Sequence, residues 1–151
     1  MEIRHLSRPS RGFVGVILAV LLAGIPAYRL AVRLVAGPAP DGPRSAAFLG
    51  RVAASINPLF PRQLDAETEI TRVSALDGVF IYHYRFINVA VADVPRGVLA
   101  RLRPTVMRSS CANEATLNNF IRRDITVRYL FSDKSGLALA SFDITRADCG
   151  V

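Results

Sequence analysis

The chain has 151 residues, of which 51% are hydrophobic, with a formal net charge of +7, two cysteines and no tryptophan. Its length allows one core beyond the N-terminal segment and excludes two full domains. The charge is unevenly placed, with a net of +4 on residues 1–37 and only +3 on residues 38–151, so the basic balance is not the footprint of a nucleic-acid-binding domain. Two cysteines with two scattered histidines, His5 and His83, also fall short of a structural zinc set.

The first element is the apolar segment Gly12 to Ala36, uncharged as far as Tyr28. As a helix its 25 residues would rise about 37 Å, enough to cross a hydrocarbon core of about 30 Å with some tilt. Arg29 and Arg33 fall on its last turns, where long stems carry guanidinium groups to the headgroups. Length favours a retained anchor over a cleaved signal peptide, since Ile25-Pro26-Ala27 and Val35-Ala36-Gly37 fit the small-residue cleavage rule poorly. No cysteine directly follows the segment, which argues against a lipidated form.

Arginines stand at both ends of the segment, Arg4, Arg8 and Arg11 before it and Arg29 and Arg33 on its last turns with Arg44 beyond, so flanking charge alone leaves the orientation nearly balanced. Both cysteines, Cys111 and Cys149, lie downstream, and an isolated pair in a small exported domain reads as a disulfide, with two separate buried thiols as the alternative. Such a bridge closes a loop of 39 residues, for which the chain-entropy relation gives about 4 kcal/mol. The expected organisation is a cytoplasmic basic leader at 1–11, a transmembrane anchor at 12–36, a Pro/Gly linker at 37–43 and a periplasmic domain at 44–151. The chain is accordingly expected to be a single-pass inner-membrane protein with its N-terminus cytoplasmic and its C-terminal domain periplasmic.

Within the domain, Phe48, Leu49, Val52, Ala53 and Ile56 recur at helical spacing and predict a helix from Pro43 or Arg44 to Ile56, ended by Pro58. An irregular connection through Asn57-Pro58-Leu59-Phe60-Pro61 follows. Asp77-Gly78 between two β-rich runs predicts a hairpin, with Leu76 opposite Val79, Ala75 opposite Phe80, Val73 opposite Tyr82 and Thr71 opposite Tyr84. Phe80, Tyr82, Tyr84 and Phe86 then share one face, the side that helices cover. Asp93 is expected to cap a second helix from near Val94, bent or broken at Pro104, and Asn113 a third that contains Leu117, Phe120 and Ile121. Ile125, Val127, Tyr129 and Phe131 alternate in the first strand of a second hairpin, whose turn is Ser132 to Gly136 and whose last strand is Leu137 to Thr145. The fold class read from this order is α+β: an N-terminal transmembrane helix, then a four-stranded antiparallel sheet of two hairpins covered on one face by helices.

Chemistry-bearing patterns are few. No Gly-rich phosphate loop, HExxH pair or Gly-x-Ser-x-Gly elbow occurs. His83 falls opposite Arg72, a cation that disfavours its protonated form, and lacks a nucleophile or an orienting carboxylate. Asp65, Glu67 and Glu69 alternate and could form an acid/base or cation site, against the plainer reading of a polar strand edge that discourages strand addition. Asp133 reads as a turn residue. Arg96, Arg101, Arg103, Arg108, Arg122 and Arg123 form the candidate interaction surface, for an acidic partner or anionic lipid, against the plainer reading of solvated helix faces.

Leu59-Phe60-Pro61, Leu64-Asp65, Thr68, Asp77-Gly78, Ile81-Tyr82-His83-Tyr84, Cys111, Val127-Arg128-Tyr129, Asp133 with Gly136, and Asp148-Cys149 together resemble a group of small uncharacterised bacterial envelope proteins, and more loosely the disulfide-bearing pilotins of secretion systems. The resemblance covers most of the domain and implies its fold, export and disulfide. It carries over no catalytic residue, cofactor or metal. The function read from the sequence is a non-enzymatic, membrane-anchored interaction protein (a subunit, inhibitor or secretion accessory) with the inner membrane and an envelope protein as partners and no nucleic acid. The alternative is an enzyme with an unfamiliar site, such as a hydrolase using Asp65, Glu67 and Glu69.

Overall fold

A computed structural model describes residues 42–151. Asp77-Gly78 joins two strands, β2 (Thr68–Leu76) and β3 (Val79–Phe86), after a short β1 (Arg62–Gln63). Gly78 takes φ 67°, a left-handed conformation open to a residue without Cβ. Leu76 faces Val79, Ala75 faces Phe80 and Val73 faces Tyr82. Beyond that the register slips between Ile70 and Arg72, so Ile70 faces Tyr84 where Thr71 was expected to. Thr71 is the extra residue of a bulge, and its hydroxyl donates to the His83 carbonyl at 3.2 Å.

The first helix, α1 (Ala46–Ile56), lies ahead of β1 and is capped by Ser45, whose Oγ accepts from the Phe48 amide at 3.1 Å. Its apolar stripe, Leu49, Val52, Ala53 and Ile56, is buried. After β3 come α2 (Arg96–Ala112) and α3 (Glu114–Asn119), then β4 (Thr126–Ser132), β5 (Ala138–Ile144) and a short α4 (Arg146–Cys149). Asp93 ends a 3-10 turn rather than capping α2, and Pro95 occupies the cap position. Pro104 sits within α2 without ending it. It is exposed, so its ring occupies the solvent side of the helix. Asn113 caps α3, accepting from the Thr116 amide at 2.9 Å, and Phe120 and Ile121 fall just beyond the helix.

The sheet differs from the expected four antiparallel strands. It has five strands in the order β1-β2-β3-β4-β5, and β3 pairs with β4 in parallel. The physical reason is the connection 87–125. A stretch that contains two helices crosses back over the sheet and starts β4 at the same end as β3, whereas antiparallel neighbours need only a tight turn. β1, two residues in a proline-flanked run, adds the fifth strand against Ile70 and Glu69.

One core joins α1 and α2 to the aromatic face of the sheet. Phe80 is fully buried and stacks on Phe120 at 4.6 Å between centroids, and the ladder continues through Tyr82, Tyr129, Tyr84, Phe131 and Phe86. The Tyr129 hydroxyl lies 2.8 Å from Ser110 Oγ on α2, a buried polar pair that fixes the helix over the sheet, and burial pushes that phenol up to about 12. Cys111 at the end of α2 is bonded to Cys149 of α4, with Cα atoms 5.3 Å apart. Beside the bond, Arg103 pairs with Asp148, and both the hydroxyl and the amide of Thr145 donate to the same carboxylate. The C-terminal turn is thus tied to the helical layer by one covalent and one ionic link.

Among the described residues no helix is long and apolar enough to cross a membrane. The leader, the anchor at 12–36 and most of the 37–43 linker lie outside the described residues. The transmembrane helix in the expected fold class and the single-pass inner-membrane location are set aside on that finding.

Candidate partner-binding surface

The six arginines read as one interaction surface do not form a single patch. Arg96 opens α2. Leu102, Val106, Ser109 and Ser110 define the buried stripe of that helix; Arg101 and Arg108, seven residues apart, share one flank of it, and Arg103 lies on the other. Arg103 is committed to Asp148 at 3.0 Å, Arg101 Nε donates to the Gly97 carbonyl at 3.1 Å, and Arg122 donates to the Asn118 side chain at 2.9 Å. Arg108 and Arg123 are exposed.

Two of the three carboxylates of the hydrolase reading, Asp65 and Glu69, are held in separate local roles. Asp65 folds back on its own turn, with Oδ1 accepting from the Glu67 amide at 2.7 Å, while its Oδ2 is buried without a hydrogen-bond partner among the described residues. Glu69 is ion-paired across the strands to Arg85. Among the described residues no group of three or more His, Cys, Asp or Glu is placed to hold a metal ion.

His83 stands on the sheet face away from the helices, opposite Arg72 in the register. Ser74 Oγ is 2.8 Å from its Nε2, a neighbour the sequence reading missed. The signal was present in the hairpin register, because Ser74 opposes Ile81 and so lies diagonal to His83 on one face. Burial first and the Arg72 charge second push the imidazole down to about 4, so it is neutral at pH 7 and pairs with Ser74 uncharged. No carboxylate completes a triad with them among the interactions of the described residues. The linkage has a definite sign. Only the unfolded chain takes up the proton between the ordinary value of 6.5 and about 4, so stability is whole above that window and falls as pH drops through it. Urea midpoints measured from pH 7 to pH 4 are expected to fall for the wild type and to fall less for His83→Gln.

Asp133 is a buried carboxylate that organises the other end of the sheet. Its Oδ1 accepts from the Ser135 hydroxyl and amide and from the Leu137 amide, and its Oδ2 from the Val91 amide at 3.1 Å. These bonds, led by the Ser135 hydroxyl, hold the acid at about 2. The same anchoring sets two exposed apolar side chains, Val91 and Leu137, where the parallel strands β3 and β4 finish. This surface came from a contact 42 residues apart in sequence, which no local pattern announces.

Three solved structures share this fold. A protein from Pseudomonas aeruginosa described as secreted aligns over 75% of this chain and 99% of its own, with a TM-score of 0.62 and 17% identity. EpsS, the pilotin of the type 2 secretion system of Vibrio vulnificus, aligns over 80% and 96%, with a TM-score of 0.56 and 13% identity. AspS, the type II secretion system pilotin of Vibrio cholerae, aligns over 82% and 99%, with a TM-score of 0.53 and 17% identity. At these identities the likeness is one of fold, and it agrees with the looser resemblance to pilotins read from the sequence. No family model matches the chain, and no curated protein matches its sequence.

Proposed function

We propose that this protein is a non-enzymatic accessory of a secretion or envelope system that works by binding another protein, in a compartment oxidising enough to keep Cys111 and Cys149 bonded. The observation that carries the reading is the fold shared with two secretion-system pilotins almost end to end on their side. The chemistry of the described residues supports it. The Asp65 carboxylate is spent on a turn and that of Glu69 on a cross-strand pair, and His83 meets Ser74 without an acid to orient it among the described residues. The rigid aromatic core serves to hold a surface in shape, and the flank of α2 that carries Arg101 and Arg108 offers that surface to an acidic partner.

Affinity capture of the full chain from an envelope extract tests the reading. The expected result is a stoichiometric envelope protein that is lost with Arg101→Glu/Arg108→Glu, a pair of exposed changes that leaves the fold intact. Recovery of the chain alone, together with hydrolytic turnover abolished by Ser74→Ala or Glu69→Gln, would overturn it.

A further inference from the structure

The two edges of the sheet are finished differently. At the β2 edge, β1 covers Glu69 and Ile70, and Asn57 covers the next stretch: its Oδ1 accepts from the Val73 amide at 2.8 Å and its Nδ2 donates to the Val73 carbonyl at 3.0 Å. A side-chain amide thereby replaces a neighbouring strand. At the other edge, β5 pairs with β4 on one side, and no described strand or side chain pairs with its backbone on the other. Ala138–Ile144 contains neither lysine nor proline, and its one edge guard is a bulge at Leu139, between the Ser132–Ala138 and Phe131–Ala140 pairs, which leaves Ala140–Ile144 in regular pairing. Its one charge, Asp143, is held on β4 by Arg128 through two hydrogen bonds of 2.6 and 2.8 Å.

The rim of the core at this edge is unfinished as well. Tyr129 and Phe131 of β4 are buried, whereas their β5 partners Phe142 and Ala140 are only half-buried. We infer that β5 is a docking edge for a second copy of this chain, the two β5 strands pairing antiparallel about a twofold axis at Ser141 to make one continuous sheet. In that register each Phe142 faces an Ala140 of the other copy, so a large and a small side chain meet twice on the core side. Asp143 falls beside the Leu139 bulge of the other copy, so no like charges oppose each other. The same strand meets itself with complementary shape and neutral charge, which a foreign strand would have to match by its own sequence.

Ser141 is exposed, lies on the sheet face away from the helices and would meet its own copy across the axis. Ser141→Lys and Ser141→Glu each place like charges opposite one another and are expected to weaken the dimer by about fivefold. An equimolar mixture of the two variants is expected to restore it as a heterodimer. The reading is the mass of the full chain in mild detergent across a concentration series, by sedimentation or light scattering with the detergent subtracted. A wild type that stays monomeric, single variants that dimerise as well as wild type, or a mixture that fails to recover would each overturn the proposal. Circular dichroism of each variant confirms that its fold is kept. Partner capture through α2 is read separately, so either result stands without the other.

Discussion

Replacing Cys149 by serine is expected to lower stability by roughly 2 to 5 kcal/mol, and replacing Cys111 to do the same, because either change reopens one loop in a small domain. The bond does more than close that loop. α4 is only four residues long, Arg146–Cys149, and is held on α2 by the disulfide and by the Arg103–Asp148 pair. That ion pair is exposed on the arginine side and on its own contributes about 0 to 1 kcal/mol, so the covalent link dominates. The double variant is expected to lose no more than either single one. Denaturant titration of the oxidised wild type, both single variants and the double variant checks this. A single variant as stable as wild type would show that the C-terminal turn is held by other means.

Phe80→Ala is expected to cost about 3 to 5 kcal/mol, the range for emptying a fully enclosed aromatic site. Phe80 has 0% exposure, stacks on Phe120 and meets Tyr82 edge to face at 5.4 Å. It lies in β3, where strand and helical layer converge, and the surrounding rings cannot close the space without leaving their own stacked geometry. Phe80→Leu, which keeps most of the volume, is expected to cost markedly less. Equilibrium unfolding followed by circular dichroism measures both, and a Phe80→Ala chain that unfolds near the wild-type midpoint would show the core to be far looser than its packing.

What was legible in the sequence follows from the range of the forces involved. The β2–β3 turn and most of its register, the alternation of Val127, Tyr129 and Phe131, the α1 stripe and the Asn113 cap are set within a few residues, and the structure agrees with them. The Thr71 bulge escaped because one inserted residue leaves the alternation readable on both sides of it. β1 escaped because two residues carry no periodicity. The parallel β3–β4 pairing was misread because two hairpins look alike locally, and only the crossover through α2 and α3 sets their relative direction. The same applies to the candidate site. Ser74 beside His83 follows from the register once it is known, whereas Val91 and Leu137 are joined through the long-range Asp133 contact and the arginines of α2 part onto two flanks.

Secretion by a strain that lacks this chain, compared with the same strain complemented, tests the non-enzymatic accessory role most directly. Complementation by wild type and by a variant combining Ser74→Ala, Asp65→Asn, Glu67→Gln and Glu69→Gln, both checked for folding, is expected to restore export equally, since none of those groups is asked to do chemistry. Failure of a folded carboxylate and serine variant to restore secretion, or normal secretion without the chain, would contradict the accessory role.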